Sequence, residues 1–201
     1  MSDAYARYQR LPGMVLGFHG CDKAVGEDLL AGHAQHLKSS DNLYDWLGSG
    51  VYFWENDPQR ALEFAREAVG NPRLTKGTIK EPFVIGAVID LGLCLNLLDR
   101  RSLEELSVAY TFLQATQQSL GEEMPANKGA DRAARYLDRA VIETLHASRQ
   151  IIGQVPYDTV RGAFWEGGEL YPRACFEKKN HIQVAVRNLH VIKGYFRPFA
   201  N

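Results

Sequence analysis

Three side chains combine a polar or aromatic group with a strand-like setting: His19, Tyr52 and Gln183. His19 closes the short apolar run Met14-Val-Leu-Gly-Phe18 and is followed by Gly20. Tyr52 lies in Gly50-Val-Tyr-Phe-Trp54, and Gln183 opens the Val-Ala-Val part of His181–Arg187. Taken singly, each has an ordinary explanation. A histidine at a burial boundary is usually hydrogen-bonded for structural reasons. Tyrosine suits a strand through its propensity and its amphipathic ring. Glutamine on the polar side of a half-buried strand normally faces water. His33 and His36 have helical spacing, but no carboxylate or cysteine stands at ligand distance in sequence, so they read as a solvated face and no metal is expected.

The elements that must carry these groups follow from periodicity. In Met14–Phe18, Met14, Leu16 and Phe18 face one way, with Val15, Gly17 and His19 on the other side, so His19-Gly20 is expected at a strand end. A short helix over about 24–32 and a Ser/Asp/Asn/Gly loop over 39–50 follow. In the second strand Val51 and Phe53 oppose Tyr52 and Trp54. Asp57-Pro58 then gives an N-cap with Pro at the first helical position, and Ala61, Phe64, Ala65 and Ala68 continue at helical spacing. Phe83–Ile89 is β-branched and almost wholly apolar, which predicts a central strand. Ser102-Leu-Glu-Glu105 forms a capping box that opens a helix running toward Gly121. Ala134, Leu137, Val141 and Leu145 stripe another helix over about 131–148. The two read as a helical insertion between strands. Strand patterns return near Thr159–Trp165, at His181–Arg187 and at Val191–Phe196, separated by a turn-rich Gly167–Pro172.

Phe18-His19-Gly20, then Gly48-Ser-Gly50-Val-Tyr52-Phe53 before a helix with Ala61, then Gln183 opening a Val-Ala-Val strand, together resemble the fingerprint of ADP-ribosyltransferases. The order is similar to the diphtheria-toxin and poly(ADP-ribose) polymerase branch, whose signature is His, Tyr and usually Glu on three strands. The resemblance covers most of residues 14–70 and 164–198 and leaves the helical insertion, about 100–150, outside. It implies an α+β domain over 1–201 with a split, mostly antiparallel β-core and helices around an NAD cleft. By that resemblance His19 hydrogen-bonds the adenosine ribose of NAD and the Gly20 backbone holds the nicotinamide carboxamide, where a missing Cβ permits close approach. Tyr52 stacks on the pyridinium ring. His19, Tyr52 and Gln183 are the implied catalytic set, and cleavage needs orientation and electrostatic stabilisation where positive charge develops on the ribosyl carbon.

Gln183 stands where a polymerase-type enzyme carries Glu. A neutral amide can orient ribose hydroxyls but supplies no negative charge, which disfavours chain elongation and favours transfer of one ADP-ribose unit. Glu166 and Glu169 are candidates for activating the acceptor. Asn56 and Arg60, at the entrance of the helix after Tyr52, could meet the carboxamide or a phosphate, although capping and surface charge explain them equally. The implied activity is mono-ADP-ribosyl transfer from NAD, as co-substrate, to a macromolecular acceptor, protein or RNA/DNA, with release of nicotinamide. A toxin or defence effector with a neutralising antitoxin is the implied setting. NAD hydrolysis and a non-catalytic module binding NAD or ADP-ribose remain alternatives. A dinucleotide fingerprint is not met, because Gly48-Ser-Gly50 leads to Phe53 and a strand, and no phosphate-loop motif occurs.

Composition sets the frame. The chain has 201 residues, 45% hydrophobic and 23% charged, as for a single globular domain. A net charge of −1 lacks the footprint of a general nucleic-acid binder. The series Arg132, Arg135, Arg139 and Arg149 offers a local basic face, diluted by Asp131, Asp138 and Glu143. Cys21, Cys94 and Cys175 are unpaired in pattern and read as reduced, buried thiols. No signal-peptide core is expected, and Phe83–Leu98, interrupted by Asp90 and Asn96, falls short of the roughly 18–20 apolar residues of a bilayer span. A cytoplasmic protein with no membrane partner is the expectation.

Overall fold

The computed structural model describes residues 13–71, 74–75, 77–129 and 134–199. The order of elements is β1 (Met14–Asp22), α1 (Lys23–Leu30), β2 (Val51–Glu55), α2 (Pro58–Ala68), β3 (Pro82–Asp90), β4 (Cys94–Asn96), α3 (Arg100–Leu120), α4 (Tyr136–Ile151), β5 (Thr159–Phe164), β6 (His181–Val186) and β7 (Ile192–Phe196). The architecture is α+β: one seven-stranded open sheet, ordered β4-β5-β6-β2-β1-β3-β7, with helices on it. Every neighbouring pair is antiparallel except β4 and β5. That parallel pair needs a crossover, and α3 with α4 provides it, so the expected insertion is a topological requirement.

Alternation along the strands gives each face its own core. One face gathers Val51, Phe53, Ile85, Ala87, Ile89, Val184 and Val186 under Leu29 and Leu37. The opposite face is divided. Over β1 and β2, Ala61 and Phe64 of α2 cover Phe18 and Trp54. Over β5 and β6, Val141, Ile142 and Leu145 of α4 cover Val160 and Ala185.

Local sequence explains α2 well. The Asp57 side chain accepts from the Arg60 amide at 2.8 Å, Pro58 starts the helix, and Ala61, Ala65 and Ala68 are buried. Their small side chains let the helix axis come close to β1.

Several expectations are corrected by tertiary pairing. β1 runs on to Asp22, so His19 is interior to the strand, opposite Ile85 of β3, and not at its end. β3 is second from the sheet edge, not central. The first long helix begins at Arg100, because Asp99, three residues ahead of Ser102, accepts from the Arg101 amide at 3.1 Å and caps it. Ser102 is buried in the first turn. α4 begins at Tyr136, and its first amides are capped from a distance: Asn127 Oδ1 accepts from Leu137 N at 2.9 Å and Asp138 N at 3.3 Å. Residues 131–133 of the expected helix lie outside the described residues. Of the three thiols, Cys21 is buried, Cys94 half-buried and Cys175 exposed in the β5–β6 connection.

Candidate functional site

β6, β2 and β1 are consecutive in the sheet, so Gln183, Tyr52 and His19 stand on three adjacent strands. The β1–β2 ladder is short. It holds only Gly17↔Glu55 and Phe18↔Trp54, whereas β1 pairs with β3 along all of Met14–Asp22. Asn56 N donates to Leu16 O at 2.9 Å, so the main-chain groups of Leu16 point toward β2. By strand alternation those of Gly20 do too. Gly20 and Tyr52 would form the next hydrogen-bonded pair, but the ladder ends at Phe18↔Trp54 and the two strands diverge.

His19 bridges the divergence. Its Nδ1–H donates to the Tyr52 carbonyl oxygen at 2.7 Å. Burial pushes the imidazole below its ordinary pKa, against an opposing contribution from that bond, so the ring is neutral with its lone pair on Nε2. Nε2 makes no hydrogen bond and can accept one from a hydroxyl. The Gly20 amide and carbonyl lie beside it on the β2 side of the strand, a donor and an acceptor in a residue that is itself buried under α2.

The side chains do not all share a face. His19 lies on the Phe53 side, with ring centroids 5.9 Å apart. Tyr52, Trp54, Gln183 and Ala185 lie on the other, given the pairs Tyr52↔Ala185 and Trp54↔Gln183. Tyr52 and Gln183 are thus diagonal neighbours, about 7–8 Å apart.

The Tyr52 hydroxyl donates to Gly48 O at 2.8 Å and accepts from Leu47 N at 3.0 Å. Burial raises its pKa well above the usual phenol value, and it remains a phenol that clamps the 47–50 loop. Gly48 has φ +79°, and a Cβ there would lie 2.7 Å from Glu143 and 2.8 Å from both Arg187 and Ile142. Glu143 ties the loop to α4 by accepting from Ser49 N at 2.7 Å and from both Arg187 terminal nitrogens at 2.8 and 2.9 Å. The glycines of Gly48-Ser-Gly50 therefore serve this packing.

Gln183 is not simply solvated. Its Oε1 accepts from Trp46 Nε1 at 2.7 Å. An indole only donates, so the amide nitrogen of Gln183 points away from Trp46 with two hydrogens to offer. Trp46 lies over Gly162, the residue opposite Gln183.

The remaining sequence candidates separate. Asn56 is exposed with φ +55°, four residues beyond Tyr52 and about 13 Å along the strand, outside the opening. Arg60 is only 7% exposed. Its Nε and Nη2 donate to Glu166 Oε1 at 2.9 and 2.5 Å, which makes Glu166 the counter-ion of a buried guanidinium. Glu169 accepts from Arg173 N at 3.0 Å within the β5–β6 connection. His33 is exposed, 3.6 Å from Asp28, and His36 meets the Tyr195 hydroxyl at 3.3 Å. No group of three metal-ligating side chains occurs among the described residues. Arg135 pairs with Asp138 at 3.0 Å, Arg149 with Glu105 at 2.6 Å, and Arg139 with Asp41, so these three cations are each matched by a carboxylate. Arg132 lies outside the described residues.

Sequence reasoning missed Trp46, Trp54 and His181. Trp54 Nε1, Arg60 Nη1 and His181 Nε2 are all buried without a partner. The Arg60 guanidinium carbon is 5.6 Å from the Trp54 ring centre, and the Trp54 and His181 rings are 6.1 Å apart. The only sequence signal was a tryptophan in the polar 39–50 loop. A cavity of about 480 Å³ lies between α3, α4 and β5, with Trp46 in its wall and none of His19, Tyr52 or Gln183. Among the described residues no helix is long and apolar enough to cross a membrane. Comparison with protein-family models, curated proteins and solved structures found no match to this chain.

Proposed function

We propose that the chain is a mono-ADP-ribosyltransferase that takes NAD as substrate at the β1–β2 opening. The observation that supports this is the early end of the β1–β2 ladder, which leaves the Gly20 main chain facing the opening with His19 Nε2 unbonded beside it. A primary carboxamide has the matching acceptor and donor for Gly20, and a ribose hydroxyl matches Nε2. Gln183, one strand beyond Tyr52 and on the sheet face opposite His19, would offer its free amide hydrogens to ribose oxygens of a ligand that passes through the opening. The glycosidic carbon–nitrogen bond breaks with its electron pair going to nicotinamide, and the acceptor's nucleophile takes the ribosyl carbon and loses its proton. These residues contribute orientation and hydrogen bonding, not negative charge, which limits the product to one transferred unit. Glu166 is engaged by Arg60, so the acceptor must be intrinsically nucleophilic or bring its own base.

The test is nicotinamide release from NAD labelled in the pyridine ring, with and without lysate, alongside transfer of adenine-labelled NAD to lysate treated with protease, RNase or DNase. Lysate-dependent release with label in one treated fraction is expected. His19→Ala should weaken NAD binding by calorimetry, and Gln183→Ala should lower turnover with little change in binding. Release that is equal without lysate identifies hydrolysis and overturns transfer. Neither release nor binding overturns the NAD reading altogether.

A further inference from the structure

The cavity beside Trp46 is separate from the β1–β2 opening, and the proposed reaction does not use it. Its volume of about 480 Å³ lies in the range of small-molecule sites. Most of the wall is apolar, Leu97, Leu106, Leu137, Val141 and Ile142 among it. Leu103, Tyr110 and Trp165 also line it and are 49%, 38% and 54% exposed, so it opens to solvent.

Its ionised wall groups are Arg135 and Asp138, joined at 3.0 Å, with Asp138 also accepting from Asn127 Nδ2 at 2.9 Å. A wall of balanced charge holds no excess for an ionic ligand, and its aliphatic remainder favours an apolar one. The Arg135 guanidinium rests on the Phe164 ring, 5.0 Å from its centre, and its Nε is buried, with no surface open to the cavity.

We propose that this cavity binds an uncharged, largely apolar small molecule. The probe is 6-propionyl-2-dimethylaminonaphthalene, an uncharged naphthyl ketone whose emission moves to the blue in apolar surroundings. Titration against the full chain should give saturable, blue-shifted emission at one probe per chain. Ser107→Trp, at an exposed α3 position in the cavity wall, should weaken binding tenfold or more without changing the far-UV circular dichroism. The anionic 2-(p-toluidinyl)naphthalene-6-sulfonate should bind about tenfold more weakly than the ketone, because the wall holds no excess positive charge to offset the loss of its hydration. Absence of saturable binding overturns the site, as does binding that is unchanged in both Ser107→Trp and Leu106→Trp. Equal or tighter binding of the anionic probe overturns the preference for an uncharged ligand. None of these readouts needs NAD turnover, so the site and the transferase reading stand or fall separately.

Discussion

Replacing Gly20 with alanine tests how closely α2 rests on β1. The new Cβ would lie 2.2 Å from the Ala61 carbonyl oxygen and 3.2 Å from the Ala65 Cβ. A relaxed carbon–oxygen contact is about 3.3 Å or more, so roughly 1 Å of relief is required. Neither wall yields by a rotamer change. One is helix backbone, and the other is a strand paired with β3 from Met14 to Asp22. Overpacking typically costs about 1–3 kcal/mol, and a clash with backbone places this substitution near about 3 kcal/mol. For a domain of this size that corresponds to a fall in Tm of about 6–12 °C. Gly162→Ala supplies the comparison. Its Cβ would lie 2.7 Å from the edge of the Trp46 ring, a side chain that can swing aside. The expected cost is about 1 kcal/mol, but the swing breaks the Trp46–Gln183 bond, so nicotinamide release should fall more than stability does. Urea denaturation followed by circular dichroism gives both free energies. A Gly20→Ala protein within about 0.5 kcal/mol of wild type would refute the claim that α2 needs a glycine beneath it. Equal costs for the two variants would refute the distinction between backbone and side-chain walls.

Two further outcomes are expected. Burial alone would raise the Glu143 carboxyl, but Arg187 and Ser49 outweigh it and hold the pKa at about 2. Because the folded value is depressed, its stabilisation, about 1–2 kcal/mol once solvent screening of the half-buried pair is allowed for, is present above the ordinary value of 4.5 and is lost as pH falls toward 2. Glu143→Gln should therefore flatten the acid limb of stability against pH, and an unchanged limb in pH-resolved urea titrations would contradict this. For the thiols, burial and the neighbouring Asp22 push Cys21 up to about 12, whereas Cys175 is exposed. Iodoacetamide at neutral pH should label Cys175 first and leave Cys21 intact until urea unfolds the chain, as read by peptide mass spectrometry. Early labelling of Cys21 would show that its strand opens far below global unfolding.

α2 was legible because Asp57, Pro58 and the alanine stripe act within a single stretch of chain. β6 was legible for the same reason, since the alternation of Ile182, Val184 and Val186 is a property of adjacent residues. Other features had no local signature. His19 moved from a strand end to a strand interior because β3 supplied partners as far as Asp22. Arg60 could pass for a surface charge in sequence, yet Glu166, more than a hundred positions away, accompanies it into the interior. Glu166 thereby changes from a candidate base to a counter-ion.

The sequence by itself determined the middle of six of the seven strands and the alternate faces their residues occupy, but neither β4 nor the full length of β1, since backbone geometry and side-chain period are local whereas strand ends depend on partners. Only the tertiary structure decided that the strands of His19, Tyr52 and Gln183 are neighbours, that two of those side chains share a face and the third does not, and that β1 and β2 part beside Gly20. Strand order and the end of a ladder depend on which distant segments compete for the same edge, and no window of sequence contains both competitors.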